Sequence, residues 1–389
     1  MKIALISPYD FASPGGVVNH ISHLYDQFVE MGHYVRIIGP CSAPDPSSTQ
    51  QDLIPLGRPF PVPSAGSIAR VTLSPTLFSP VRAILDREEF DILHLHEPLG
   101  STLPFSALVV SHCANVGTFH ACHRVPRGYQ VARPIAIKWF KKLDGKIAVS
   151  RPAMEFIGKH FPGEYEIIPN GIDVQHFSAD VAPIERFCDG RLNVLFVGRL
   201  EKRKGLKYLL GAYQEVKRAV PNSRVIVVGP GEMGEYERLV ERLELEDVVF
   251  IGYVSYEDLP RYYRTADVFC APATGEESFG IILLEAMAAS KPIVASANIG
   301  YASVMSHGVE GLLVPPQDER ALADALITVL DDESLRREMG ARGLRTAEEY
   351  SWRKVAQRVM DYYGTVLARH SAQEAESSGA NRDTKGADH

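Results

Sequence analysis

Short apolar runs rich in β-branched residues recur along the chain, each separated from the next by a longer amphipathic stretch. In the first half these runs are Ile3 to Ser7, Val35 to Ile38, Ile92 to His96, Val116 to Phe119 and Ile147 to Val149. Runs this short and this uniformly apolar predict strands buried on both faces, as in a parallel sheet, with crossover helices between them. One intervening stretch carries Val17, Val18, Ile21, Leu24, Tyr25, Phe28 and Val29 at helical spacing, with Gly32 as its stop. After Pro169-Asn170-Gly171 the pattern loosens through Ser178 to Gly190. A second series follows: Val194 to Val197, Val225 to Val228, Val248 to Ile251, Val268 to Cys270, Ile293 to Ala295 and Leu312 to Val314. Helical patterns separate these as well, at Tyr208 to Val220, Tyr236 to Leu245, Ile281 to Ala289 and Arg320 to Leu330. The expectation is two doubly wound α/β domains, 1–180 and 192–350, with a linker at 181–191. A last helix, capped by Ser351, covers 351–370, and the polar segment 371–389 reads as a disordered tail.

Composition narrows this only a little. A chain of 389 residues is long enough for two cores, and 45% hydrophobic with 23% charged residues is ordinary for a globular protein. The formal charge of -7, from 48 acidic and 41 basic residues, excludes nonspecific nucleic-acid binding through a global positive field, so any anion site must be local. The opening run from Met1 to Pro8 is too short for a signal peptide or a membrane span. Five cysteines without metal-ligand spacing suit a reducing compartment, and the expected location is the cytoplasm.

Ligands of open parallel sheets sit beyond the carboxyl ends of strands, where four segments carry chemistry. Ser13-Pro14-Gly15-Gly16-Val17 opens a helix with small residues, which lets backbone amides approach an anion. Gly198-Arg199-Leu200-Glu201-Lys202-Arg203-Lys204-Gly205 offers the planar fork of Arg199 and the point charge of Lys204, a pairing suited to a pyrophosphate. Gly275-Glu276-Glu277-Ser278-Phe279-Gly280 precedes the helix carrying Glu285; were the span helical, Glu277 and Glu285 would lie about 12 Å apart. Carboxylates are natural ligands of vicinal hydroxyls, and the amides near Phe279, Gly280 and Ile281 would face phosphates. Glu285 lies within an otherwise apolar run, so its carboxylate needs a partner. His94, His96 and His120 follow strands, but no carboxylate or cysteine spacing completes a metal site, and none is expected.

A fifth segment points elsewhere. Gly229-Pro230-Gly231-Glu232-Met233-Gly234 spells the dinucleotide fingerprint, yet the next strand, Val248 to Tyr253, lacks the acid that would hold a ribose. An NAD-dependent oxidoreductase is therefore a weaker reading than a sugar-nucleotide enzyme. A non-catalytic nucleotide-sugar binder would show the same binding without turnover.

Taken together, these segments resemble the retaining glycosyltransferases of the GT-B fold (glycosyltransferase family 4 type), in which two Rossmann-like domains face a central cleft. The resemblance implies that Arg199 and Lys204 bind the donor diphosphate, that Glu285 takes the ribose, and that Glu277 with the Phe279, Gly280 and Ile281 amides holds the sugar. It also implies catalytic roles for His120, Arg199, Lys204 and Glu277, a phosphate contact at Gly16, and a base contact at Gly252-Tyr253-Val254. Within the family, Ser7-Pro8-Tyr9, Pro14-Gly15-Gly16-Val17, Gly66-Ser67-Ile68-Ala69-Arg70 and His94-Leu95-His96-Glu97-Pro98 look most like bacterial phosphatidylinositol mannosyltransferases. That likeness implies GDP-mannose as donor and an inositol phospholipid as acceptor, with Arg70 near its phosphate and Tyr9 near its ring. No cofactor is required, with Mg2+ at most a non-essential stimulant.

The chain departs from lipid-acting relatives in one place. Leu77 to Glu89, where a strongly basic helix is usual, has only Arg82 and Arg87. A UDP-sugar enzyme with a soluble acceptor, transferring glucosyl or N-acetylglucosaminyl groups, is therefore the alternative. Arg124, Arg127, Arg133, Lys138, Lys141, Lys142 and Lys146 around Trp139 and Phe140 form a basic, aromatic stretch that would suit an anionic membrane on the inner face of the cell membrane.

Overall fold

The computed structural model describes residues 1–13, 15–43, 52–64, 67–120, 136–178, 181–275 and 277–383. Two units emerge: Met1–Pro169 together with Trp352–His389, and Asn170–Ser351.

The first unit is built on β1 (Lys2–Ile6), β2 (Tyr34–Gly39), β3 (Leu53–Pro55), β4 (Phe60–Ser64), β5 (Ser67–Val71), β6 (Ile92–His96), β7 (Ala114–Phe119), β8 (Gly145–Ala148) and β9 (Glu166–Ile167). Seven of them form one sheet in the order β3-β2-β1-β6-β7-β8-β9. Ile3 of β1 is in parallel register with Val35 of β2 and Ile92 of β6. The two-residue period of the strand divides the core: Ile3 and Leu5 face one cluster, which includes Tyr363 and Val366 of the last helix, while Ala4 and Ile6 face the other. β4 and β5 pair as an antiparallel hairpin outside this sheet, one that Pro61 and Pro63 hide from a strand reading.

The second unit carries β10 (Leu192–Val197), β11 (Ser223–Val228), β12 (Val248–Gly252), β13 (Val268–Ala271), β14 (Ile293–Ser296) and β15 (Gly311–Val314). Their order is β12-β11-β10-β13-β14-β15, again with parallel pairs. In both sheets the winding reverses beside the first strand, between β1 and β6 and between β10 and β13. Those two switch points are where a doubly wound sheet leaves a crevice for a ligand.

Helix bounds depart from the expected ones by a few residues: Gly16–Glu30, Leu206–Ala219, Gly234–Arg242, Ile281–Ala288 and Glu319–Asp331. Helices not named from the sequence include Thr102–Val110, Arg151–His160, Leu259–Thr265 and Glu333–Glu349. The segment read as a linker at 181–191 belongs to the second unit, because Ile184 and Phe187 pack into its core beside Phe177. The last helix, Trp352–Asp383, groups with the first unit and continues past the expected end at 370. Alanine, glutamate and glutamine in 372–376 are good helix formers, so low hydrophobicity there does not prevent a helix. Among the described residues, no helix is long and apolar enough to cross a membrane. Cys113, Cys188 and Cys270 are free thiols, and Cys122 lies outside the described residues.

Candidate functional site

At the β10/β13 switch point, the loop after β10 folds into a short turn, Lys202–Lys204, before the helix Leu206–Ala219. Gly205 makes that entry possible: its φ is 77°, and a Cβ there would sit 1.8 Å from the carbonyl oxygen of Pro272. The turn presents its cations to two carboxylates. Lys204 Nζ lies 2.8 Å and Arg203 Nη1 2.9 Å from Glu277 Oε1, while Arg203 Nε lies 2.8 Å and Arg199 Nη1 3.4 Å from Glu201. Three cations thus share two carboxylates, a surplus of positive charge inside an acidic chain. Lys204 and Glu277 are nearly buried, with side chains 14% and 11% exposed, whereas the Arg199 side chain is 57% exposed and free to turn onto a ligand. Arg203, which no single motif position singled out, is thereby the hinge between both carboxylates.

Glu277 is not helical. The helix begins at Ile281, and Gly280 precedes it without a side-chain cap, so no side chain satisfies its first amides. The Phe279 ring is buried against Tyr350 in the core, which leaves only its backbone for a ligand. Among the described residues, the buried hydroxyl of Tyr301 has no hydrogen-bond partner; it lies near Glu277.

Glu285, one turn into that helix, has the partner its apolar setting demands. The Tyr263 hydroxyl donates to Glu285 Oε2 at 2.7 Å. Burial pushes the Glu285 carboxyl up to about 7, a rise that the Tyr263 hydrogen bond and the Lys204 charge partly offset. Beyond β12, the Tyr253 ring is 72% exposed, while Val254 packs on the core. The fingerprint glycines have a packing role: a Cβ on Gly229 would fall 2.0 Å from the Gly198 carbonyl oxygen.

In the first unit, the β1/β6 switch point is organised by Asp10, a residue absent from every motif. It is fully buried and accepts from the Ser42 amide at 2.8 Å and the Ser42 hydroxyl at 2.7 Å. Arg70, on the hairpin, reaches to 3.8 Å of Asp10 with half its side chain exposed, and its carbonyl accepts from the Asp10 amide. Tyr9 pairs with Val71 beside them, its hydroxyl held protonated by burial and by Glu97. Arg70 and Tyr9 are therefore brought together. Gly16 opens its helix exposed, and a Cβ there would meet nothing within 4 Å, so no contact of the chain itself demands glycine. Pro14, Gly66 and Glu276 lie outside the described residues.

The three strand-end histidines do not act as one set. His94 is fully buried and spends both nitrogens, on Thr118 and Tyr363, each at 2.6 Å. His96 Nδ1 instead meets His120 Nε2 at 3.0 Å, and His20, from the first helix, joins them. The His120 amide donates to Glu97 Oε1 at 2.6 Å, and Glu97 holds a left-handed backbone with φ 48°. Burial keeps His96 and His120 neutral.

The basic stretch is partly consumed by structure. Lys142 Nζ donates to the Val109 and Ser111 carbonyls, Lys146 Nζ to Leu143, and the Phe140 ring is in the core. Lys138 and Lys141 remain exposed; Arg124, Arg127 and Arg133 lie outside the described residues.

Both halves of the chain have counterparts among known proteins. Residues 14–176 match Glycosyltransferase Family 4, and residues 182–346 match Glycosyl transferases group 1. The phosphatidyl-myo-inositol mannosyltransferase of Mycobacterium leprae is 37% identical, with 95% of this chain and 98% of that protein covered. The protein of that name from Mycolicibacterium smegmatis is 34% identical, with 98% of each covered. Among solved structures, the Anabaena HepE complex with UDP superposes with a TM-score of 0.74 at 22% identity, covering 94% of this chain and all of that one. A glycosyltransferase from Rickettsia africae gives 0.76 at 17% identity, covering 94% of this chain and 98% of that one. These structures share the GT-B fold, and the sequence relatives carry the assignment further. The chain is a glycosyltransferase and belongs to the family of the phosphatidyl-myo-inositol mannosyltransferases.

Proposed function

We propose that the enzyme transfers mannose, with retention, from GDP-mannose to the inositol ring of a phosphatidylinositol. The observation that carries this reading is the cation surplus of Arg199, Arg203 and Lys204 over Glu201 and Glu277, beside an uncapped helix start and the carboxylate of Glu285. That set suits a nucleoside diphosphate-sugar: cations for the diphosphate, Glu285 for the ribose, Glu277 with the Phe279, Gly280 and Ile281 amides for the hexose. Tyr253 and Val254 would receive the base. The relatives' names supply the mannose and the inositol lipid, and they disfavour the UDP-sugar alternative.

On the acceptor side, Arg70 would bind the lipid phosphate, held in place by Asp10, and Tyr9 would pack on the inositol ring. Gly16 leaves room for a donor phosphate at its helix start. The acceptor oxygen would attack the anomeric carbon from the face the diphosphate leaves, and a leaving phosphate oxygen would take the acceptor proton. The products are then the mannosyl lipid and GDP. His120 would stabilise the sugar, and the three cations the growing charge on the diphosphate. Mg2+ is expected only as a stimulant.

Exposed Lys138 and Lys141 support peripheral attachment to an anionic membrane on its cytoplasmic face. Co-sedimentation with vesicles tests it: binding indifferent to anionic lipid sinks the attachment. For the transfer itself, Arg199→Ala should lower turnover by about 10²–10³ with the fold intact, and near-normal rates would overturn the phosphate assignment.

A further inference from the structure

We propose that the second unit carries a further anion site, a cavity between the helices Leu206–Ala219 and Gly234–Arg242 that takes a phosphate-bearing ligand. The cavity measures about 690 Å³, within the roughly 300–1,000 Å³ of small-molecule sites. It lies apart from the donor set. Helix Ile281–Ala288, which carries Glu285, packs on one face of the sheet with Leu195 and Val197 of β10, whereas the two cavity helices pack on the other face with Val194 and Phe196. Of the donor cations only Arg203 reaches the cavity wall, and its guanidinium is already held by Glu201 and Glu277. The inference therefore goes beyond sugar transfer and does not depend on it.

The rest of the wall is strongly basic. Lys202, Lys207, Arg238 and Arg242 face the cavity against the single carboxylate of Glu235. Helix geometry sets this excess: Glu235, Arg238, Leu239 and Arg242 fall at i, i+3, i+4 and i+7 on one face, which directs Glu237 and Glu241 away from it. Glu235 meets Lys202 at 3.9 Å with both side chains largely exposed, a contact too solvated to neutralise the wall. Among the described residues, the guanidinium groups of Arg238 and Arg242 have no ion pair or side-chain hydrogen bond. Like charges one turn apart repel each other, so an anion between them relieves the helix. Lys207 adds its charge from the facing helix, with Nζ 4.5 Å from the centre of the Tyr208 ring. In a chain of net charge -7 this is a local positive field inside a concave surface.

The side chains also select the ligand. Guanidinium forks take phosphate oxygens bidentately, and ammonium groups add point charges. Four cations against one carboxylate leave a surplus of three, which matches a diphosphate better than a lone carboxylate. Tyr208 and Leu239 supply an apolar wall for the organic part of a phosphate ester. The same recognition serves a phosphate ester in solution and the headgroup of a lipid, and the test separates the two sources.

Inorganic pyrophosphate is titrated calorimetrically into the full chain, into Arg199→Ala/Lys204→Ala and into Arg238→Ala/Arg242→Ala, with thermal unfolding as the check on folding. The expected result is saturable binding that survives loss of the two donor cations and weakens by about 10–100-fold without the two cavity arginines, the range of charge-assisted hydrogen bonds. Arg218→Ala, which removes a cation of the helix Leu206–Ala219 outside the cavity, should leave it unchanged. In parallel, the parent and the Arg238→Ala/Arg242→Ala protein are co-sedimented with phosphatidylglycerol vesicles. Retention that falls in the variant assigns the site to a lipid headgroup; a change confined to pyrophosphate assigns it to a soluble ester. Should the double variant fail to fold, Lys207→Ala on the facing helix carries the same expectation. Binding of both probes that is equal in parent and cavity variant, pyrophosphate binding lost with Arg199 and Lys204 alone, or no binding of either probe would each overturn the site.

Discussion

Tyr263→Phe isolates the role of Glu285 with the smallest possible change, one oxygen removed from a fully buried ring. In the intact protein that hydroxyl donates to Glu285 at 2.7 Å and holds down a carboxyl that burial has pushed up to about 7. A hydrogen bond to a charged group contributes about 1.5–3 kcal/mol, which at about 1.4 kcal/mol per pK unit corresponds to a further rise of about 1–2 units. Glu285 should then titrate higher still, because nothing but the Lys204 charge is left to offset its burial. Ribose hydroxyls donate to the ionised carboxylate, so donor binding is present above the Glu285 pKa and is lost as pH falls through it. In the parent enzyme the donor KM should rise below about pH 7; in Tyr263→Phe the same rise should begin about 1–2 pH units higher. Near neutrality that amounts to about a tenfold KM difference, which closes at higher pH, with kcat much less affected. Initial rates over donor concentration at a series of pH values measure this, with thermal unfolding as the check on folding. Parallel pH profiles, or a KM gap that persists at high pH, would refute the reasoning.

Other expectations follow from the same contacts. Glu285→Gln should abolish the pH dependence of donor KM. It should also stabilise the ligand-free protein above pH 7 by on the order of 2 kcal/mol, because an acid whose folded pKa is raised costs stability as pH rises from its unfolded value through the folded one; a lower melting temperature at pH 8 would contradict this. Lys204→Ala should cut kcat/KM by about 10²–10³, and Arg203→Ala by less, since Lys204 still holds Glu277; equal losses would show the two cations act as one unit. Gly205→Ala should destabilise the second unit by about 3 kcal/mol or more, because its Cβ would overlap a backbone carbonyl; an unchanged denaturation midpoint would refute that. Asp10→Asn should raise the acceptor KM while leaving donor KM alone, as Arg70 loses its anchoring charge.

The strands were legible because parallel sheets bury both faces, and β1 from Ile3 and β10 from Val194 are apolar at consecutive positions. The helix Glu333–Glu349 was not, since the residues it buries include Gly340, Gly343 and Ala347, whose small size carries little hydrophobic signal. The loop chemistry of Arg199, Lys204, Glu277 and Glu285 was readable from residue type after a strand. Its wiring was not: Arg203, Tyr263, Asp10 and His20 each reach the candidate sites through tertiary contacts across at least twenty residues, and no local spacing encodes those. The hairpin that carries Arg70 escaped because Pro61 and Pro63 argue against a strand and only its pairing defines it.

Mannosyl transfer to an inositol lipid is tested most directly by following labelled mannose from GDP-mannose into phosphatidylinositol with the purified enzyme. A labelled α-mannosyl lipid is expected, with formation reduced by about 10²–10³ in Arg199→Ala. No lipid product, together with turnover of a UDP-sugar onto a soluble acceptor, would contradict it.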